Sequence, residues 1–302
     1  MSKIFRCVSA VLLFITTCAA TAQTAQEIAD LKVKAESGDA KAQCALGAEY
    51  EYGINVKRDF AQAAVWFRRS AEHGDAEAEG RLGALYRNGA GIPQDYSKAA
   101  FWLQKAAEQG IDGAQYNLAG MYEGGQGVKQ DYAQAAAWYR KAADAGLADA
   151  QFNLGYLYKM GYGLPQNYRQ AANWFRKAAE QGLADAQFSL GLQYDLGEGV
   201  PHDFAQSAYW YRKAAEQGDV LSQIPLGWLY FNGEGVPQDY AEAYFWYSLA
   251  AAVAASSKTP MADEAVIVER RDSAASHLTP AELSRVQERA RKWFEDHPAK
   301  AQ

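Results

Sequence analysis

Few residues in this chain have types and spacings that could do chemistry. Four histidines, His73, His202, His277 and His297, share no short metal-ligand spacing with one another or with a cysteine, so no convergent nitrogen and sulfur ligand set is indicated. Gly-x-Gly pairs recur, but each follows a helical pattern and none follows a strand, which excludes a phosphate-cradling loop. No Ser-His-Asp or Cys-His arrangement can be assembled. The expectation is therefore no catalytic residue, no metal and no cofactor. The stretch most like an active-site box is NWFRKAAEQGLADAQFSLG, Asn173 to Gly191, with a Trp, a basic pair and an acid. Nearly the same string, AWYRKAADAGLADAQFNLG, runs from Ala137 to Gly155. A site is not duplicated in this way; a structural part is.

The duplication is general. Trp66, Trp102, Trp138, Trp174, Trp210 and Trp246 stand 36 residues apart, and Tyr50, Tyr86, Tyr122, Tyr158, Tyr194 and Tyr230 keep the same step. Six units run without insertion from residue 39 to 254. A fixed period in this range signals a solenoid. Each unit reads as two helices. In the fourth, Ala150, Leu154, Leu157 and Tyr158 lie at helical spacing, and Gly161 ends the helix. A tight loop follows. Its second glycine recurs as Gly91, Gly127, Gly163, Gly199 and Gly235, with Asn55 in the first unit, which predicts a positive φ throughout. The second helix is expected to open at Asn167, or at Asp59, Asp95, Asp131, Asp203 and Asp239 in the other units. Gln or Glu three residues on in five of them predicts a capping box. Glycines such as Gly155 and Gly191 sit inside first helices, where Gly costs about 1 kcal/mol relative to Ala. Their recurrence predicts a close backbone approach, with a neighbouring Trp filling the space, and so a structural role for the Trp column.

These letters, Ala-x-Ala-x-x-x-Leu-Gly-x-x-Tyr-x-x-Gly-x-Gly-Val-x-x-Asp-Tyr-x-x-Ala-x-x-Trp, resemble the Sel-1-like repeat family, a relative of the tetratricopeptide repeat. The resemblance covers residues 39–254. It implies an all-α fold, a right-handed α/α solenoid with capping helices. Residues 23–38 read as an N-terminal capping helix, and 255–302 as C-terminal caps with helices near Met261 to His277 and Pro280 to Glu295, the latter with a Thr279 cap and Glu282 as box partner. Exported relatives act as binding scaffolds in envelope processes. Some cysteine-rich relatives are described as binding or hydrolysing β-lactams, but paired cysteines are lacking here.

Residues 1–22 differ from the rest: a short basic start, an apolar run and small residues at Ala20 and Ala22. This is the pattern of a signal peptide cleaved before Gln23, implying a periplasmic or secreted protein. An uncleaved anchor, or a lipoprotein acylated at Cys18, are the alternatives; membrane association is expected only with that acylation. Cleavage removes Lys3 and Arg6 and no acid, taking the net charge from −6 to −8, which argues against nucleic acid as the partner. Cys44 would then be the sole cysteine, with no disulfide possible. It lies in a largely apolar column, which favours a core role. The chain is expected to be a monomer.

The recurring basic pairs, Arg140-Lys141, Arg176-Lys177 and Arg212-Lys213, have acids four residues after each Arg (Asp144, Glu180, Glu216). A solvated face of i,i+4 pairs is favoured over a ridge for an anionic polymer. Function is expected where the copies differ. Columns led by Lys41, Ala45, Ala48 and Tyr52 vary freely and share one face of the first helix. By likeness to tetratricopeptide solenoids, that face lines a concave groove. In its C-terminal half it carries Tyr156, Met160, Leu192, Leu196 and Trp228, a candidate anchor surface for a peptide or protein. The competing reading is that these larger residues fill a tighter superhelix or touch the C-terminal cap.

Overall fold

The computed structural model describes residues 25–256 and 264–297, all helix and connecting turns. The signal-peptide segment, with Cys18 and the cleavage site, lies outside the described residues, as do residues 257–263. Helix α1 spans 25–36. Twelve repeat helices follow: α2 (Ala40–Tyr52), α3 (Phe60–Glu72), α4 (Ala76–Asn88), α5 (Tyr96–Glu108), α6 (Asp112–Gly124), α7 (Tyr132–Asp144), α8 (Ala148–Met160), α9 (Tyr168–Glu180), α10 (Ala184–Leu196), α11 (Phe204–Ala215), α12 (Val220–Asn232) and α13 (Tyr240–Ser256). Helices α14 (Glu264–Ser276) and α15 (Pro280–Asp296) close the chain. The chain divides into two compact units, residues 1–142 and 143–302. In the first unit α2 packs on α3, α3 on α4, α4 on α5 and α5 on α6. In the second, consecutive helices from α8 to α14 pack in order, and α15 also packs on α13. Each unit is thus a run of helix pairs, the all-α solenoid arrangement that the period predicts.

The helix ends follow from local chemistry. First helices stop at a left-handed glycine such as Gly161, whose N–H donates to the Leu157 carbonyl at 2.9 Å. Second helices start on an Asp or Asn whose carboxylate or amide oxygen accepts the free N–H groups of the first turn: Asp59 accepts from Ala61 and Gln62 at 2.9 and 3.0 Å. The expected reciprocal half of the box does not form at these caps. The cap's own N–H donates instead to the carbonyl of the repeated tyrosine, as from Asp59 to Tyr50 at 2.8 Å and from Asp203 to Tyr194 at 3.0 Å. That bond ties the second helix to the first. A full capping box does form at α15, between Thr279 and Glu282.

The glycine inside the first helix marks a close approach, but the ring beside it is not the tryptophan. A Cβ on Gly47 would sit 2.6 Å from Phe67, on Gly155 2.8 Å from Phe175, on Gly191 2.8 Å from Tyr211 and on Gly227 2.9 Å from Tyr247. The filling residue is the one after each Trp, which faces inward where Trp lies at the margin. Phe67, Phe175, Tyr211 and Tyr247 are almost wholly buried, whereas Trp66, Trp174 and Trp246 are buried slightly less completely and Trp102, Trp138 and Trp210 are half-buried. At Trp66, Trp102, Trp138 and Trp174 the ring is instead covered by the basic residue three positions on, with Lys141 3.8 Å and Lys177 3.9 Å from their ring centres.

The second loop glycine joins successive repeats. Gly91 has φ +71°, and a Cβ there would lie 2.3 Å from the Phe60 carbonyl carbon at the start of α3; Gly235 stands likewise 2.2 Å from Phe204. Each loop therefore rests on the first turn of the previous repeat's second helix. Asn55 departs from the expectation: no non-glycine residue described has positive φ, and its backbone and side-chain N–H groups donate to the Glu49 carboxylate at 3.1 Å.

A buried polar column completes the packing. The side-chain amides of Gln43, Gln115, Gln151 and Gln187 donate to the backbone carbonyl eight residues earlier. Gln151 and Gln187 also accept from Gln181 and Gln217 at 2.9 and 2.8 Å. Each amide thus adds a second donor to a helix-end carbonyl that already accepts from the glycine three residues on, as Ala179 does from Gly182 at 3.0 Å. Where His73 stands in place of the second glutamine, Gln43 Oε1 is buried without a partner. Glu79 occupies the same column, 2 % exposed, and accepts from Gln109 at 2.7 Å. Burial pushes its carboxyl above the usual range, outweighing Lys105 and the Gln109 amide; Asp75 and Glu108 push the same way.

Two outcomes follow. By propensity alone Gly191→Ala would stabilise α10 by about 1 kcal/mol; the Tyr211 ring reverses the sign, and urea unfolding should show a loss of about 1–3 kcal/mol. Glu79→Gln should raise stability by about 1 kcal/mol at neutral pH, because the amide can donate to the Ala71 carbonyl. The folded carboxyl titrates above its unfolded value. Its penalty is thus absent below the usual carboxylate range and appears as pH rises through the folded value. The advantage of Gln should shrink as unfolding is repeated at mildly acidic pH; a constant difference would contradict this origin.

Candidate functional site

The copies differ most on the free face of the first helices. In the second unit this face is carried by α8, α10 and α12. Tyr156 and Met160 are each 41 % exposed, Leu196 57 % and Trp228 36 %. Leu192 is half-buried and packs against the core formed with Ala208, Tyr211 and Leu226. Four of the five anticipated residues thus present apolar surface to solvent, while Leu192 belongs partly to the packing. Tyr156 meets the loop residue Tyr162 edge-on, ring centres 6.5 Å apart. Asp149 and Asp185 stand exposed on the same face.

Trp228 is the least exposed of these four. It tilts against Phe204, ring centres 6.1 Å apart, and forms a wall of two cavities. One, of about 350 Å³, is lined with it by Asp195, Phe204, Ile224, Pro225 and Arg270. The other, of about 300 Å³, adds Phe231, Tyr247 and Val266. The C-terminal helix α14 contributes Arg270 and Val266, so Trp228 does lie beside the C-terminal cap, as the competing reading expects, and remains exposed nonetheless. In the first unit the equivalent positions on α2 and α4 carry polar contacts: Arg81 donates to Glu51 at 2.7 Å, to Tyr52 at 2.8 Å and to Glu77 at 2.9 Å.

The remaining candidates have structural partners. The arginine of the basic pair does not form the anticipated i,i+4 bridge at Arg176 or Arg212. Arg176 donates to the Tyr194 hydroxyl at 2.9 Å, and Arg212 to that of Tyr230, as Arg68 does to Tyr86 at 2.8 Å. A second helix is thereby bonded to the next first helix, and that tyrosine comes closer than the acid on the arginine's own helix. His277 stacks on Tyr240 and His297 on Trp293, while His202 meets Phe204 edge-on. Among the described residues no group of three His, Cys, Asp or Glu side chains could hold a metal ion. Cys44 is half-buried, and burial together with the Asp75 carboxylate pushes its thiol up to about 12. That keeps the thiol protonated and poorly nucleophilic.

Sequence reasoning missed Asp195, Phe204 and Arg270. Asp195 lies one position off the variable columns, and Arg270 lies beyond the last full repeat, where there is no copy to compare. The buried glutamine column was visible as a repeated letter, but its bonding geometry was not.

The comparisons with known proteins accord with this architecture. The Sel1 repeat model matches residues 40–75, 76–111, 113–147, 148–183, 184–219, 220–252 and 276–295. The seventh match falls largely on α15, so repeat-like sequence extends past the six full units. No curated protein matches the chain. Among solved structures, the chain is similar to a protective antigen of uropathogenic Escherichia coli strains displaying an SLR fold, at 40 % identity and a TM-score of 0.75, over 89 % of this chain and 55 % of that one. It thus spans about half the antigen's length. It is also similar to a Sel1 repeat protein from Oxalobacter formigenes, at 28 % identity and a TM-score of 0.62, over 76 % of this chain and 96 % of that one.

Proposed function

The chain belongs to the Sel1-repeat family, and from that premise we propose that it is a non-catalytic scaffold of the bacterial periplasm or cell envelope, which holds a peptide or protein on the free face of its second unit. Sel1-repeat proteins are suited to protein–protein interaction and commonly bind proteins. The observation that carries the proposal is the exposed apolar face of Tyr156, Met160, Leu196 and Trp228. Monomeric soluble proteins seldom leave contiguous apolar surface open without use, and aromatic and Met side chains are frequent binding anchors. Within this reading the protein is a monomer, and the face lines a concave groove. Export rests on residues 1–22, whose basic start, apolar run and small-residue site fit a cleaved signal. No helix among the described residues is long and apolar enough to cross a membrane.

Leu196→Asp changes a 57 % exposed side chain and should leave the helical circular-dichroism signal intact. Combined with Trp228→Ala, it should abolish capture of partners from the native cell envelope; undiminished capture of every partner would sink the proposal. Mass spectrometry of protein purified from its host should give Gln23 as the first residue. An acylated Cys18, or retention of residues 1–22, would overturn the cleaved-signal reading.

A further inference from the structure

Asp195 belongs to a column in which three of the other charged members have a polar partner at hydrogen-bond distance and the fourth a more distant ion pair. Glu51 pairs with Arg81 at 2.7 Å, Arg87 donates to Asn117 at 2.7 Å, Glu123 accepts from the Tyr139 hydroxyl at 2.7 Å and Lys159 lies 4.0 Å from Glu198. Asp195 accepts from the Tyr211 hydroxyl at 3.4 Å, and among the described residues it has no cation within ion-pair distance. It is half-buried, and burial holds its carboxyl above the usual range despite Tyr211 and the nearby His202. A carboxylate withdrawn from water without a counter-charge is costly, and such groups mark places where charge arrives from outside.

The surroundings state what kind of charge. Asp195 shares its cavity with two tilted aromatic rings, Phe204 and Trp228, and with Arg270. An indole face is the best aromatic surface for a cation. A purely cationic ligand would be repelled by Arg270, and a purely anionic one by Asp195. Arg270 lies beside the Tyr247 hydroxyl and also reaches the second cavity, across Trp228. Pro225, inside α12, lines the same cavity and can donate no backbone N–H there.

We propose that this site binds an extended segment of a partner protein carrying a basic and an acidic side chain two residues apart. The basic chain lies along the open edge of the Phe204–Trp228 pair with its head on Asp195, and the acidic chain meets Arg270. Side chains at i and i+2 of an extended strand project from one side, so both can enter at once. This inference rests on the reading of the free face as the docking surface and adds its selectivity.

The probe is the capped tripeptide acetyl-Lys-Ala-Glu-amide, added to the full chain at millimolar concentration. Binding is read from the indole N–H resonance of Trp228, assigned by its loss in Trp228→Phe. The wild-type signal should shift. Asp195→Asn and Arg270→Gln should each weaken binding about tenfold, or about 1.4 kcal/mol. Peptides with Gln in place of Lys or of Glu should be weakened alike on the wild type. Absence of any shift, or equal binding of all peptides by all variants, overturns the proposal. Thermal midpoints of the two single variants and the double variant should be additive; coupling would show that Asp195 and Arg270 pair with each other in the free protein, which also overturns it. If Leu196→Asp with Trp228→Ala abolishes partner capture while the charge variants leave probe binding unchanged, the docking face stands and the selectivity fails. If those face substitutions leave capture intact while probe binding depends on charge, the reverse holds.

Discussion

The fold depends on one steric constraint: at a fixed point in the first helix, held by glycine in five of the six repeats and by Ala119 in the third, the neighbouring helix leaves the five glycines no room for a Cβ. The side chain that follows the tryptophan, a ring at Phe67, Phe175, Tyr211 and Tyr247 and Leu103 in the second repeat, lies against that glycine, closer than a methyl group permits. The closeness lets two thirteen-residue helices bury enough apolar surface to hold as a pair, which neither could do alone in water. A second constraint of the same kind, the loop glycine resting on the preceding helix start, sets how one pair follows another. Repeat proteins draw their stability from unit and nearest-neighbour terms, and these two glycine contacts are the points where each term is most sharply determined.

Polar groups serve the same end. The buried glutamines donate to helix-end carbonyls, the N-caps bond back to the repeated tyrosine, and the arginines reach the tyrosine hydroxyl of the following helix. Cations cover four of the repeated tryptophan rings. Residues that resemble chemistry in a single copy, a basic pair beside a Trp and a Tyr, are therefore consumed in holding helices together. Function is left to the positions that packing does not use, and these are the positions where the copies differ.

That division explains why an apolar face and an uncompensated carboxylate can persist beside a well-satisfied interior. Packing makes the same demand in every repeat, so a departure from it is informative. Asp195, whose partner Tyr211 is more distant than the hydrogen-bond partners of Glu51, Arg87 and Glu123 in its column, and Pro225, inside a helix, are two such departures; they meet at one cavity with Trp228.

The sequence by itself determined the period, the helix pairs and their ends, the family and the varied face. All of these follow from local rules, in which a glycine, an Asp cap or a run at helical spacing acts on its own few neighbours. Tertiary structure alone decided which ring fills the space beside Gly155 and Gly191, because two adjacent aromatic residues in one helix look equivalent until the neighbouring helix selects one. It also decided that Arg176 and Arg212 bond to tyrosines on the following helix, and that Asn55 needs no left-handed backbone. Only packing brings Arg270, from beyond the last full repeat, to the cavity of Asp195 and Trp228. The physical reason is common to these cases: propensity and spacing govern contacts within a turn or two of helix, whereas the choice among distant partners is made by the distances that close packing leaves.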